Sequence, residues 1–169
     1  MMPTWAAMPR TARVLAAWVV IVLAVGYTTS LVFVYHTTGL TPGGAAERYR
    51  GTDAVGATGG TPADAPMQFP KPLGEMLLST HTHVLTMAMI FVITGAGLVL
   101  CEWPSERWRR WLIGEPFAAI LVSFASIWLM RYVDPRWAWL LFASSTLMAV
   151  TFYAQVIIIL GALRRAGRS

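Results

Sequence analysis

An all-α membrane fold is predicted: four transmembrane helices in one bundle, with both termini inside and a long Gly/Pro/Ala-rich outer loop. Three observations predict it. The chain is 56% hydrophobic and only 12% charged, where soluble domains carry about 25% charged residues. Four apolar stretches approach or reach the roughly 20 residues that cross a bilayer. The arginines fall asymmetrically around those stretches. With 169 residues, the chain has too little interior to hide so much apolar surface without lipid.

The first span is read at about residues 14–35. Arg10 and Arg13 precede it, as they would precede a signal peptide. Its apolar run is too long for a signal core, and no clear small-residue cleavage site follows. The second span is placed at 79–100, the third at 117–130 and the fourth at 137–161. The third is short, so its end near Arg131 is expected close to the interface. Glu115-Pro116 reads as its start, because proline suits the first turn of a helix.

Orientation follows from the basic residues. With the N-terminus inside, the inner segments hold eight arginines (10, 13, 107, 109, 110, 164, 165 and 168) against three glutamates (102, 106 and 115). The outer segments hold five basic residues against five acidic ones. Both termini are therefore expected in the cytoplasm of a bacterial cell, and the membrane is expected to be the cytoplasmic (inner) one. The tight turn Arg131–Arg136 makes spans three and four antiparallel neighbours. The outer loop 36–74 has a composition that buries little and stays mobile. No repeat is evident, and residues 1–169 read as a single membrane domain.

The pI near 10 does not signal nucleic-acid binding. The arginines flank apolar runs and form no basic stripe among aromatics. The single cysteine, Cys101, excludes an internal disulfide, and neither CxxC nor CxxCH occurs. No Gly-rich phosphate loop, HExxH or Ser-His-Asp order is present, so the chain carries no catalytic signature. Gln155 and Tyr153 add polar groups to span four. No run of acidic side chains crosses the bilayer, which argues against a pump or channel.

The three histidines, His36, His81 and His83, gather at the outer end. Histidine is the commonest transition-metal ligand and a usual axial ligand of haem b. Residues two apart on a helix point about 200° apart, so His81 and His83 cannot both face one interior. His83 shares a stripe with Ser79, Met87, Ile90 and Thr94 and is the expected inward member, with His36 as its partner. His36, His83 and Met87 form a candidate metal set, since a thioether favours Cu(I). The competing reading is structural: histidines near an interface commonly bond carbonyls or headgroups. Glu75 and Asp134 are outer carboxylates that read mainly as exposed loop charges.

The order Tyr35-His36, Ala46-Glu-Arg-Tyr-Arg-Gly51, Met67-Gln-Phe-Pro-Lys71 and Glu75-Met-Leu-Leu-Ser-Thr-His-Thr-His83 resembles a family of small four-helix bacterial membrane proteins. That family pairs a Tyr-Arg-Gly segment with a Thr-His-x-His second span. Some members carry a c-type haem insertion in the outer loop, and some bear an elongation-factor label that their sequences do not explain. The resemblance implies a respiratory or redox-linked setting and no established reaction. The haem insertion is absent here. The resemblance also implies that Tyr49, Arg50, Phe69 and Lys71 lie at the outer mouth of the bundle, with Arg50 or Lys71 available to haem propionates or lipid phosphates.

Two principal functions follow. One is an accessory electron-transfer or sensing subunit that binds haem b or a transition metal through outer-face histidines, working with a respiratory complex. The other is a non-catalytic scaffold of a larger membrane assembly. A small transporter or channel is the third.

Overall fold

Helix α5 (Trp137–Ala166) is the axle of the bundle. Half of its most apolar stretch (50%) is buried by protein, against 11% for α1 (Arg10–Thr38). The computed structural model describes residues 3–52 and 67–168. Among them lie a short 3-10 turn (Trp5–Ala7), α1, α2 (Pro42–Arg50), α3 (Leu73–Val99), α4 (Glu106–Tyr132) and α5. No strand occurs among the described residues. Helices α1, α3, α4 and α5 are long and apolar enough to cross a membrane.

Helix α4 packs along α5 more extensively than any other pair. Their antiparallel register is set by polar contacts. Ser123 and Ser144 share a hydrogen bond of 2.8 Å, and Gln155 Nε2 donates to Leu112 O at 2.6 Å. Helix α3 joins the bundle through Phe91, Thr94 and Leu98, all at most 1% exposed. Gly97 permits that approach: a Cβ there would lie 3.1 Å from Ile159 Cδ1. Small residues let helix backbones close up in lipid, where no hydrophobic effect drives association. Helix α1 leans on α5 through Tyr27, whose ring stacks on Phe152 at 4.1 Å.

The two ends of the bundle differ. At one, Trp5 N donates to Leu100 O, Trp5 Nε1 to Gly97 O, and Arg13 Nη1 to Ala166 O. The N- and C-terminal regions and the α3–α4 turn therefore share the arginine-rich end. At the other lie α2, the histidines and the turn 132–137.

Three sequence expectations change. The helix that carries the third predicted span, 117–130, is longer and runs Glu106–Tyr132. Fourteen residues reach only about 21 Å, short of the ~30 Å of hydrocarbon, so the helix extends toward the arginine-rich end. Pro116 consequently sits inside the helix and does not start it. The second span begins at Leu73, which places the histidines two to three turns into α3. Finally, the 36–74 connector is not wholly irregular. Helix α2 docks on α1, α4 and α5, and Ala46 and Glu47 are buried. The Gly/Ala-rich centre of the connector, with Asp53 and Asp64, lies outside the described residues.

Candidate functional site at the histidine end

The Tyr-Arg-Gly and Phe-Pro-Lys segments pair with each other. Lys71 N donates to Tyr49 O at 3.1 Å, Thr52 N to Gln68 O at 3.0 Å, and Gln68 N to Thr52 Oγ1 at 2.9 Å. Gly51, at φ 90°, makes the turn; a Cβ would lie 2.8 Å from Pro70 Cδ. That conformation and that closeness require glycine. Arg50 then reaches α4, its Nη1 donating to Met130 O at 3.1 Å. Arg131 Nε donates to Lys71 O at 3.1 Å. Two arginines thus fasten the connector to the end of α4. Tyr49 packs beside Ala46, Met130 and Ala138. Burial pushes its phenol above the ordinary range, against the opposing pull of Arg48.

The predicted ligands occupy separate positions on this frame. His36 is exposed in the last turn of α1, its ring 5.7 Å from Tyr35. His81 is exposed on α3 and has no hydrogen bond or ring partner among the described residues. His83 is exposed too, but it leans toward α4, with its ring 6.3 Å from Phe124. Phe124 is seven residues before Arg131, so His83 lies about 10 Å below the level of that arginine. Met87, one turn on, packs at the edge of the core. Helix α1 touches α3 only lightly. Among the described residues no three His, Cys, Asp or Glu side chains gather into a metal-holding group.

The His83 ring has a fixed tautomer. Its Nδ1 lies 2.8 Å from Ser79 O and 3.5 Å from Ser79 Oγ. A carbonyl can only accept, so Nδ1 carries a proton, and in the neutral ring the lone pair lies on Nε2. Metal-bound histidines commonly orient themselves through such a second-nitrogen bond. Lys71 Nζ pairs with Glu75 at 2.7 Å on the surface, and Asp134 Oδ1 accepts from Arg136 N at 2.7 Å.

Residues 39–168 match the sequence model of the Aq_1264_TM family, described as a transmembrane helical domain. The chain belongs to that family. The Aq_1264_TM match spans α2 to α5 and includes Arg50, Lys71, His81 and His83, while α1 and His36 precede it. No curated protein and no solved structure gives a significant match. The protein is a small integral membrane protein whose helices contact the lipid bilayer.

The sequence reading missed a second polar group, inside the bundle. Glu115 is the tenth residue of α4 and not part of a loop. Both of its carboxylate oxygens are buried, and the one side-chain donor within reach of them is Thr151 of α5. Thr151 Oγ1 and, one turn on, Gln155 Oε1 are buried beside it, and Gln155 Oε1 has no hydrogen-bond partner among the described residues. One signal was available: a 14-residue third span is too short, and the residues that complete it include Glu115.

Proposed function

We propose that the protein is an accessory subunit of a bacterial cytoplasmic-membrane complex that holds haem b through His83, in electron transfer or sensing. The reading rests on one observation: His83 donates through Nδ1 to Ser79 O, which turns Nε2 outward as the available ligand nitrogen of the neutral ring at the surface of α3. That is the form in which imidazole ligates haem iron. Because the ring is exposed, a partner chain or a second copy would complete the haem site. Haem supplies the electron-transfer chemistry. The chain would supply the His83 Nε2 ligand, its orientation and the apolar face of α3 beside it. Lys71 is the nearer cation for a propionate, because its exposed pair with Glu75 is weak and exchangeable. Arg50 is engaged with Met130 O and holds the connector.

In this reading residues 1–169 form one membrane domain, and the arginine-rich end faces the cytoplasm. A His36–His83–Met87 metal set gains no support from the packing of α1 against α3.

The test is a pyridine-haemochrome and metal analysis of protein purified from haem-supplied cells. Wild type and His81→Ala should carry haem b, and His83→Ala should not. A wild-type protein without a Soret band would remove the reading and leave the scaffold role, which co-purification of partner subunits would then address.

A further inference from the structure

We propose that Glu115, Thr151 and Gln155 form an intramembrane site for a monovalent alkali cation, which competes there with a proton. The site is independent of the histidines. It lies between α4 and α5, toward the arginine-rich end.

Its depth follows from helix geometry. Glu115 is about 24 Å along α4 from Arg131 and about 8 Å from Arg110. Thr151 is the fifteenth of the 30 residues of α5, so the carboxylate side chain meets α5 at mid-length. An ionisable residue at such depth is expensive in hydrocarbon and commonly marks a functional path. Nothing in the packing requires a carboxylate here.

Its chemistry follows from the orphaned atoms. Glu115 Oε1 and Oε2, Thr151 Oγ1 and Gln155 Oε1 are all buried, and the one side-chain donor that reaches the carboxylate among the described residues is the Thr151 hydroxyl itself. Thr151 is 1% and Gln155 0% exposed. Buried polar groups are nearly always satisfied, and a single hydroxyl proton cannot satisfy four oxygens in one interhelical patch, so they need a further common partner. Thr151 and Gln155 are one turn apart on α5, and Gln155 is held by its bond to Leu112 O, three residues before Glu115. That bond uses the amide nitrogen and leaves the amide oxygen free. The donor set is therefore oxygen only, which suits hard cations. It holds a single negative charge. A monovalent ion makes the patch neutral, whereas a divalent ion would leave a net positive charge in the hydrocarbon.

The surroundings contain no competing cation. Glu115 takes part in none of the ion pairs among the described residues. The titratable groups facing it are Tyr27 of α1 and, beside Tyr27, Tyr153 of α5. Tyr153 Oη is tied to Thr28 Oγ1 at 2.8 Å. The charge of Glu115 is thus neutralised by a proton or by a bound ion.

The test uses the full-length protein in detergent and dicyclohexylcarbodiimide, an apolar reagent that modifies protonated carboxyls. Labelling is followed by peptide mass spectrometry in choline, Na+ or K+ chloride at one pH. In choline, Glu115 should be labelled, and Glu115→Gln should remove that adduct. Na+ or K+ at ten times its dissociation constant should slow labelling about tenfold; the ion effective at lower concentration is the preferred one. Thr151→Val should be labelled equally well but lose the protection. Labelling that neither ion slows, or no labelling of Glu115 in choline, overturns the proposal. Protection unchanged in Thr151→Val overturns the ligand set.

Discussion

Gln155 of α5 donates to the carbonyl of Leu112 at 2.6 Å, the carbonyl that Pro116 leaves without its helical partner. Position 116 would normally supply an N–H to residue 112, and proline has none. In lipid, water cannot replace that donor, so a neighbouring helix must. One amide therefore lets α4 continue through a proline and ties it to α5.

Gln155→Leu should destabilise the bundle by about 1–3 kcal/mol, the cost of a buried unsatisfied acceptor. Pro116→Ala restores the missing N–H. The loss on Gln155→Leu should accordingly be smaller in a Pro116→Ala background. A double-mutant cycle on unfolding in detergent measures this, and additive effects would show that the two residues are not coupled.

Gly51→Ala should cost about 1–3 kcal/mol, because alanine resists a left-handed φ and its Cβ would press on Pro70. Gly74→Ala is the matched control, with open space around the added methyl. Thermal unfolding of both variants in one detergent should separate them by several degrees.

Arg50→Ala should release the connector while leaving the four long helices in place. The lost bond to Met130 O is charge-assisted and partly buried, worth about 1–2 kcal/mol. Hydrogen exchange should rise over 42–52 and 67–71 and stay unchanged in α5. Exchange that rises evenly along the chain would place Arg50 in the bundle's stability as a whole.

Cys101 should resist alkylation. It is 1% exposed beside Gly97 O and Arg109. Burial pushes its thiol above the ordinary value of 9.0, outweighing the pull of Trp5 and Arg109. The folded state therefore holds this proton more tightly than the unfolded chain does. The resulting stability is complete below about pH 9 and is lost as pH rises toward the folded-state value. Iodoacetamide should modify native protein slowly at pH 8 and denatured protein quickly. Equal rates would contradict the burial.

The four spans were legible because lipid imposes a length and a composition on each helix. The histidine end was legible because charge asymmetry and turn length fix which loops lie together. Helix α2 was harder to see. Its Pro-Gly-Gly-Ala-Ala sequence reads as loop, yet Thr41 caps it by accepting from Gly44 N at 3.0 Å. A Cβ at Gly44 would lie 2.0 Å from Thr38 O, so the glycine that signals irregularity is what permits close docking on α1. His83 was expected to face the bundle interior with His36 as its partner, yet it is exposed and leans toward Phe124 of α4. It rests at the rim of the α3 stripe, because Val84 and Met87 fill the adjoining core positions.

The sequence by itself determined that this chain has four helices fit to cross a bilayer with most of its arginines at one end, because hydrophobic length and charge placement are properties of single segments. Only the tertiary structure decided which polar groups are shielded and by what. Glu115 became a helical residue with a buried carboxylate when α4 ran past Pro116, and α4 could do so because Gln155, 39 residues after that proline, supplies the donor that proline lacks. Partnership between distant residues depends on helix register and facing, which no local pattern encodes.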